Sequence, residues 1–145
     1  MNLRFVSLAG YFILATAVVI LVLEHSILAD GYPLLGIQCL AVALMVWARI
    51  TFGRRSFHAS ADPTAGGLMT AGPYRFIRHP IYASVLYFVW AAVLSHLSAV
   101  NFLCGMVGTL GVAIRVYAEE KLLLDRYPEY AGYAARTSRF VPFLF

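Results

Sequence analysis

The 145-residue chain is 61% hydrophobic and only 12% charged, with a mean hydropathy of +0.78, a balance that a water-soluble domain of this size cannot bury. Eleven Lys and Arg against seven Asp and Glu leave a net charge of +4, but the cations flank apolar runs and form no separate basic face. That argues against nucleic acid as a partner and for membrane topology.

The elements follow in chain order. Residues 5–23 form an uncharged run long enough to span a bilayer core that needs roughly 20 apolar residues. A signal peptide is the rival reading, because Arg4 precedes an apolar core; that core is longer than an ordinary h-region and no small-x-small cleavage site follows it. Glu24, His25 and Asp30 make a polar connection closed by Gly31 and Pro33, and a second span covers 33–52. From Ile81 to Ile114 there is no formally charged residue, too long for one crossing at about 1.5 Å per residue and suited to two, 80–96 and 100–117. Ser95, His96, Ser98 and Asn101 supply the turn between them.

These four spans place every Lys and Arg on one side, and the connections after spans one and three carry none. By the positive-inside rule both termini and the 53–79 connection are cytoplasmic. The sequence therefore predicts one all-α, multi-pass membrane domain over 1–145 with about four transmembrane helices, a cytosolic loop at 53–79 and an interfacial C-terminal helix in the tail 119–145. Tyr127, Tyr130, Tyr133, Phe140 and Phe143 give that tail the composition of a headgroup-level anchor. Cys39 and Cys104 lie in apolar stretches without metal-type spacing and read as packing residues; no metal site is expected.

Ionisable groups near membrane depth are expensive, so those that remain are the first candidates for function. One cluster runs from Leu68 and Met69 through Tyr74, Arg78, His79, Pro80, Ile81 and Tyr82. Pro80 suits a first helical turn, which sets Arg78 and His79 beside an amide-rich helix N-terminus fit for an anion such as an amino-acid carboxylate. The plainer reading makes Arg78 a topological flank and Tyr74 and Tyr82 belt aromatics. The second cluster is Arg115-Val116-Tyr117-Ala118-Glu119-Glu120. Arg115 and Glu119, spaced i,i+4, share a helix face, while Glu120 is rotated about 100 degrees from Glu119 and is expected to face elsewhere. Here the plainer reading is an intrahelical ion pair. Topology puts both clusters on one side, at the ends of adjacent helices of one hairpin.

Gly72-Pro73-Tyr74, Arg78-His79-Pro80-x-Tyr82, Arg115-x-x-x-Glu119-Glu120-x-x-Leu123, the tyrosines 127, 130 and 133, and Arg139-Phe140-x-Pro142 together resemble the isoprenylcysteine carboxyl methyltransferase family and related membrane phospholipid methyltransferases. The likeness covers about the C-terminal 80 residues; the first two spans match in character only. It implies that S-adenosylmethionine binds beneath a cytosolic cover of loop and tail. Carried over by position, it implies a cofactor site lined by Leu68, Met69, Tyr74, His79, Pro80, Ile81 and Tyr82, with Arg78 beside it, Glu119 holding a polar group of the cofactor and Arg115 orienting the acceptor. No strand-and-glycine signature of a Rossmann methyltransferase is present.

Against the eukaryotic members, Gly66-Gly67 replace cofactor-contacting side chains, Pro128 stands where glycine is common, and the chain is short by at least one N-terminal span. It is more similar to the compact bacterial branch, which implies a bacterial inner membrane and a lipophilic small molecule or lipid as substrate among the membrane lipids. The resemblance implies carboxylate O-methylation, for which Arg115 need only orient an existing nucleophile. An amine or thiol acceptor would need His79 or Glu119 to accommodate a proton. A rival of another class is a non-catalytic four-span transporter subunit or scaffold, although no apolar run carries the carboxylate that proton-coupled carriers generally need.

Overall fold

The computed structural model describes residues 2–53, 67–142 and Leu144; Arg54, Arg55, Gly66 and the loop residues between them, about half of the expected cytosolic loop, lie outside the described residues, as does Phe143 of the tail. The elements are α1 (Leu3–Leu23), α2 (Tyr32–Phe52), a 3-10 turn (Gly72–Arg75), α3 (Pro80–Ser95), α4 (Ala99–Arg126) and α5 (Tyr130–Ala134). Local chemistry explains their starts. Asn2 Oδ1 accepts from the Arg4 amide at 3.1 Å, Pro33 opens α2, Pro80 opens α3, and Ser98 Oγ accepts from the Asn101 amide at 3.1 Å.

Three helices, α1, α2 and α4, are long and apolar enough to cross a membrane, and α3 is a shorter apolar helix of 16 residues. The protein is thus an all-α, multi-pass membrane protein, the expected class. Its surface confirms which solvent it meets: Leu40 is 72% and Ile50 75% exposed, side chains that hydrocarbon solvates. Cys39 is on this outer face of α2, not packed within the chain as expected, whereas Cys104 joins Ala17, Leu21, Val89 and Val93 in the core.

Helix α1 packs along α4 and α2 along α3, with the two pairs joined through α3 and α4. The turns after α1 and α3 meet at one end, where the Asp30 amide donates to Ser95 Oγ at 2.9 Å and His96 Nε2 lies 2.7 Å from the Leu28 carbonyl. Buried Gln38 fastens that end: its Nε2 donates to Ile27 O at 2.9 Å and Phe88 O at 3.2 Å, and its Oε1 accepts from the Ala29 amide at 2.9 Å. Every described cation therefore lies toward the opposite end.

The tail departs from expectation in two ways. Its first residues are a continuation of α4, which runs 28 residues to Arg126, about 42 Å. No breaker interrupts Ala118 to Arg126, and the helix ends just before Pro128. Because the hydrocarbon core is about 30 Å thick, the last turns of α4 stand clear of it. Secondly, Tyr130 and Tyr133 are 2% and 6% exposed, so they are buried interface residues, not headgroup anchors.

Candidate active site

Gly72 starts the turn at φ +55, and a Cβ there would lie 2.6 Å from Thr51 Oγ1, so only glycine lets this segment close against the end of α2. The turn buries Pro73 and Tyr74, and four residues later His79 caps α3 with backbone alone, leaving its ring free. His79 Nε2 then meets Glu120 Oε1 at 3.3 Å, while its ring stacks near Tyr82 and Phe140, with centroids 5.8 and 6.4 Å away.

Glu120 points away from the Glu119 face, as the helical wheel expects, and toward the tail and the start of α3. Arg78 Nε lies 3.2 Å from Glu120 Oε1 and Arg139 Nη2 3.0 Å from Oε2. Burial alone would raise this carboxyl; hydrogen bonds from His79 and Arg139, and their charge, outweigh it and hold it low, at about 2.

Arg78 also donates through Nη1 to the carbonyls of Ala134 and Thr137. The backbone adds the Arg78 amide to Ser138 O at 2.7 Å, the His79 amide to Arg139 O at 3.2 Å and the Ser138 amide to Phe76 O at 3.1 Å. Tyr133 OH donates to Tyr74 O at 2.7 Å, and burial pushes that phenol up to about 12, so it remains a donor at neutral pH. The tail is therefore strapped across 74–79, and Arg78, expected at the cofactor, spends its donors on the strap.

A depressed carboxyl stabilises only while ionised. Glu120 contributes fully above its ordinary value of 4.5, and that contribution is lost as pH falls toward about 2. Hydrogen exchange of the 133–141 amides, corrected for intrinsic rate, is expected to show equal protection at neutral pH and mildly acidic pH, and loosening only below about 4. Glu120→Gln should loosen the strap at all these pH values; unchanged protection in that variant would show that the ion pairs do not hold the tail.

On the other face of the same turn of α4 stand Arg115 and Glu119. Arg115 is 6% exposed, and its guanidinium carbon lies 5.4 Å from the ring centroids of both Tyr11 and Tyr82. Its Nε donates to Tyr82 OH at 3.2 Å and its Nη1 to Ser7 O at 3.3 Å. The Tyr82 hydroxyl is coupled electrostatically to both Arg115 and Glu119. Tyr74, in the turn, is raised by burial and then by the charge of Glu119, which brings it to the same cluster with Arg49 nearby. Two buried polar atoms here, Ser7 Oγ and Glu119 Oε2, have no hydrogen-bond partner among the described residues, and such orphans are costly enough to mark a place for a polar ligand.

The structure thus brings Tyr74, His79, Pro80, Tyr82, Arg115 and Glu119 to one end of the α3–α4 hairpin, with Ile81 half-buried in the first turn of α3. Leu68 and Met69 are half-buried in the stretch leading into it. Sequence reasoning missed Ser7 and Tyr11 of α1, Arg49 of α2 and Glu120. Only Glu120 had a signal, its place in the acidic pair.

A family model for phospholipid methyltransferases matches residues 26–130, which include the turn, the His-Pro entry to α3 and the acidic pair of α4. Among curated proteins, the chain is 32% identical over 76 residues to the cobalt-zinc-cadmium resistance protein CzcN of Cupriavidus metallidurans, covering 52% of this chain and 35% of that one. It is 34% identical over 70 residues to methanethiol S-methyltransferase 1 of Bradyrhizobium diazoefficiens, covering 48% of this chain and 24% of that one. The chain thus spans about a third or less of the length of these relatives. No solved structure matches. With a family match over most of its length, laid on a site whose two halves meet in space, the chain belongs to the phospholipid methyltransferase family of membrane proteins.

Proposed function

We propose that the protein is an S-adenosylmethionine-dependent methyltransferase that acts on a lipophilic acceptor at the cytoplasmic face of the membrane. The observation that carries this reading is the Tyr82–Arg115–Glu119 cluster: a buried guanidinium that donates to the Tyr82 hydroxyl, which also feels the charge of Glu119, a carboxylate whose buried Oε2 has no hydrogen-bond partner among the described residues. The family supports methyl transfer in place of a carrier or scaffold role, and the one-sided cations support the cytoplasmic assignment.

The cofactor fits the donor set. Its sulfonium supplies the methyl group, and its ammonium and ribose hydroxyls are donors of the kind that Glu119 Oε2 lacks. Tyr74 and His79 offer ring faces for its base. This chain's task is alignment and exclusion of water, and little else, because an in-line displacement needs a nucleophile held at near-contact distance in a dry site.

Arg115 favours an acceptor that reacts as an anion, a carboxylate as in isoprenylcysteine methylation or a thiolate. A thiolate gains from the relative named methanethiol S-methyltransferase. An amine, as on a phospholipid headgroup, would develop positive charge beside a buried guanidinium, the less favourable arrangement.

Binding gives the direct test. S-adenosylhomocysteine at a hundred times its Kd should stabilise the purified protein by about 2.7 kcal/mol, seen as a rise in melting temperature. Glu119→Gln should abolish the rise. No shift in the unmodified protein at saturating ligand would refute the cofactor assignment.

A further inference from the structure

The family match begins at residue 26, so α1 lies outside it, yet α1 supplies the Tyr11 ring and the Ser7 carbonyl that hold the arginine. The buried side of α1 is a stripe of Ser7, Gly10, Ala17 and Leu21, the three-and-four spacing of one helix face. The stripe runs antiparallel to α4: a Cβ on Gly10 would lie 2.7 Å from Gly111 O, and one on Gly108 would lie 3.7 Å from Ala17 Cβ. Ser7, one turn before Gly10, therefore faces the turn that follows Gly111. That turn carries Arg115, whose Nη1 donates to the Ser7 carbonyl at 3.3 Å, and Glu119 follows one turn later on the same face.

Ser7 is 0% exposed, and its Oγ has no hydrogen-bond partner among the described residues. A hydroxyl inside a helix commonly bonds to the carbonyl four residues back, as Thr16 Oγ1 does to Phe12 O at 2.9 Å in the same helix. Ser7 makes no such bond. A bare hydroxyl in a seam of small residues is less stable than the alanine that would fill the same space. It sits on the residue whose carbonyl the buried guanidinium grips, in the cluster that holds Glu119 Oε2, the other unpartnered atom of this site.

We infer that Ser7 is a specificity residue that α1 adds to the acceptor site: its hydroxyl donates to a second oxygen of the acceptor, so that a carboxylate head is preferred to a thiolate. The inference rests on the proposed methyltransferase reading and chooses between the two anionic heads that Arg115 alone would accept. One carboxylate oxygen reacts: its bond to the methyl carbon forms as the carbon–sulfur bond of the sulfonium breaks, the electron pair stays on sulfur, and no proton has to leave. The other oxygen needs a donor that fixes the plane of the head beside Arg115, and Ser7 provides it. A thiolate has a single sulfur and leaves the Ser7 hydroxyl unpaired, the arrangement by which a hydrogen-bonding site rejects an analogue.

The experiment compares the purified protein with Ser7→Ala and Thr16→Ala on dodecanoate and dodecanethiol, with S-adenosylhomocysteine release as one readout and melting temperature, with and without S-adenosylhomocysteine, as the other. The parent should favour dodecanoate. Ser7→Ala should lower the carboxylate-to-thiol ratio of kcat/KM about tenfold, while Thr16→Ala keeps the parent ratio. Ser7→Ala should also melt at or above the parent temperature, because only an unpaired hydroxyl is lost, and should keep its shift with S-adenosylhomocysteine. An unchanged ratio in Ser7→Ala, a parent that prefers the thiol, or a Ser7→Ala protein that melts well below the parent would overturn the role of Ser7 and leave the methyltransferase reading standing. Turnover of neither probe with the ligand shift intact would overturn the anionic head together with Ser7, and absence of that shift in the parent would overturn the methyltransferase reading itself.

Discussion

Replacing Arg115 by alanine is expected to lower kcat/KM for methyl transfer by about a hundredfold to a thousandfold, the range seen when one pre-aligned electrostatic donor is removed from a dry site. Its guanidinium is held by the rings of Tyr11 and Tyr82, the Tyr82 hydroxyl and the Ser7 carbonyl. Such a group is aimed, and an acceptor docked on it is aimed too. Lysine keeps the charge but loses the planar fork, so Arg115→Lys should recover the fold and only part of the rate. The informative contrast is with Glu119. Arg115→Ala should retain the thermal shift with S-adenosylhomocysteine while losing turnover, and Glu119→Gln should lose both. If Arg115→Ala keeps its rate on every acceptor, the guanidinium is a structural bolt between α1 and α3 and the acceptor binds elsewhere.

The strengths and blind spots of the sequence follow from the same physics. Long uncharged runs separated by short polar turns can only be spans, and cations cannot be left at random in such a chain, so fold class and the sharing of one end by both clusters were legible. The approach of Tyr82 to Arg115 follows from those two facts. What was not legible is which stripe of an apolar helix meets which neighbour. In hydrocarbon both faces are apolar, so α1 carries no amphipathic signal to announce that Ser7 and Tyr11 flank the arginine. The tail misled for a related reason: Tyr130 and Tyr133 have the composition of an interfacial anchor, and only the three-dimensional pairing of Ser138 with Phe76 and Arg78 reveals them as buried. Glu120 shows the limit of a helical wheel, which correctly separates the two carboxylates but cannot know that chain returns to cover the second one.

The α1–α4 interface carries the second large expectation, that Gly111→Val separates α1 from the site. A Cβ on Gly111 would lie 2.8 Å from both Gly10 O and Leu14 N, and one on Gly10 would lie 2.7 Å from Gly111 O and 3.0 Å from Arg115 Cγ. These neighbours are mainly backbone, which cannot swing aside, so the helices themselves must part. Between helices in lipid there is no hydrophobic force to offset that, and close packing of small residues carries the association. The cost should reach the upper end of the ~1–3 kcal/mol for overpacking, or exceed it. Even a protein that survives should be inactive, because parting the helices draws Ser7 and Tyr11 off Arg115. Gly36→Ala supplies the control: nothing lies within 4 Å of a Cβ there, and alanine favours a helix by about 1 kcal/mol over glycine, so its melting temperature should hold or rise. Thermal unfolding in detergent together with turnover decides the matter, and a Gly111→Val protein as stable and active as the parent would show that α1 neither packs on α4 nor braces the arginine as described.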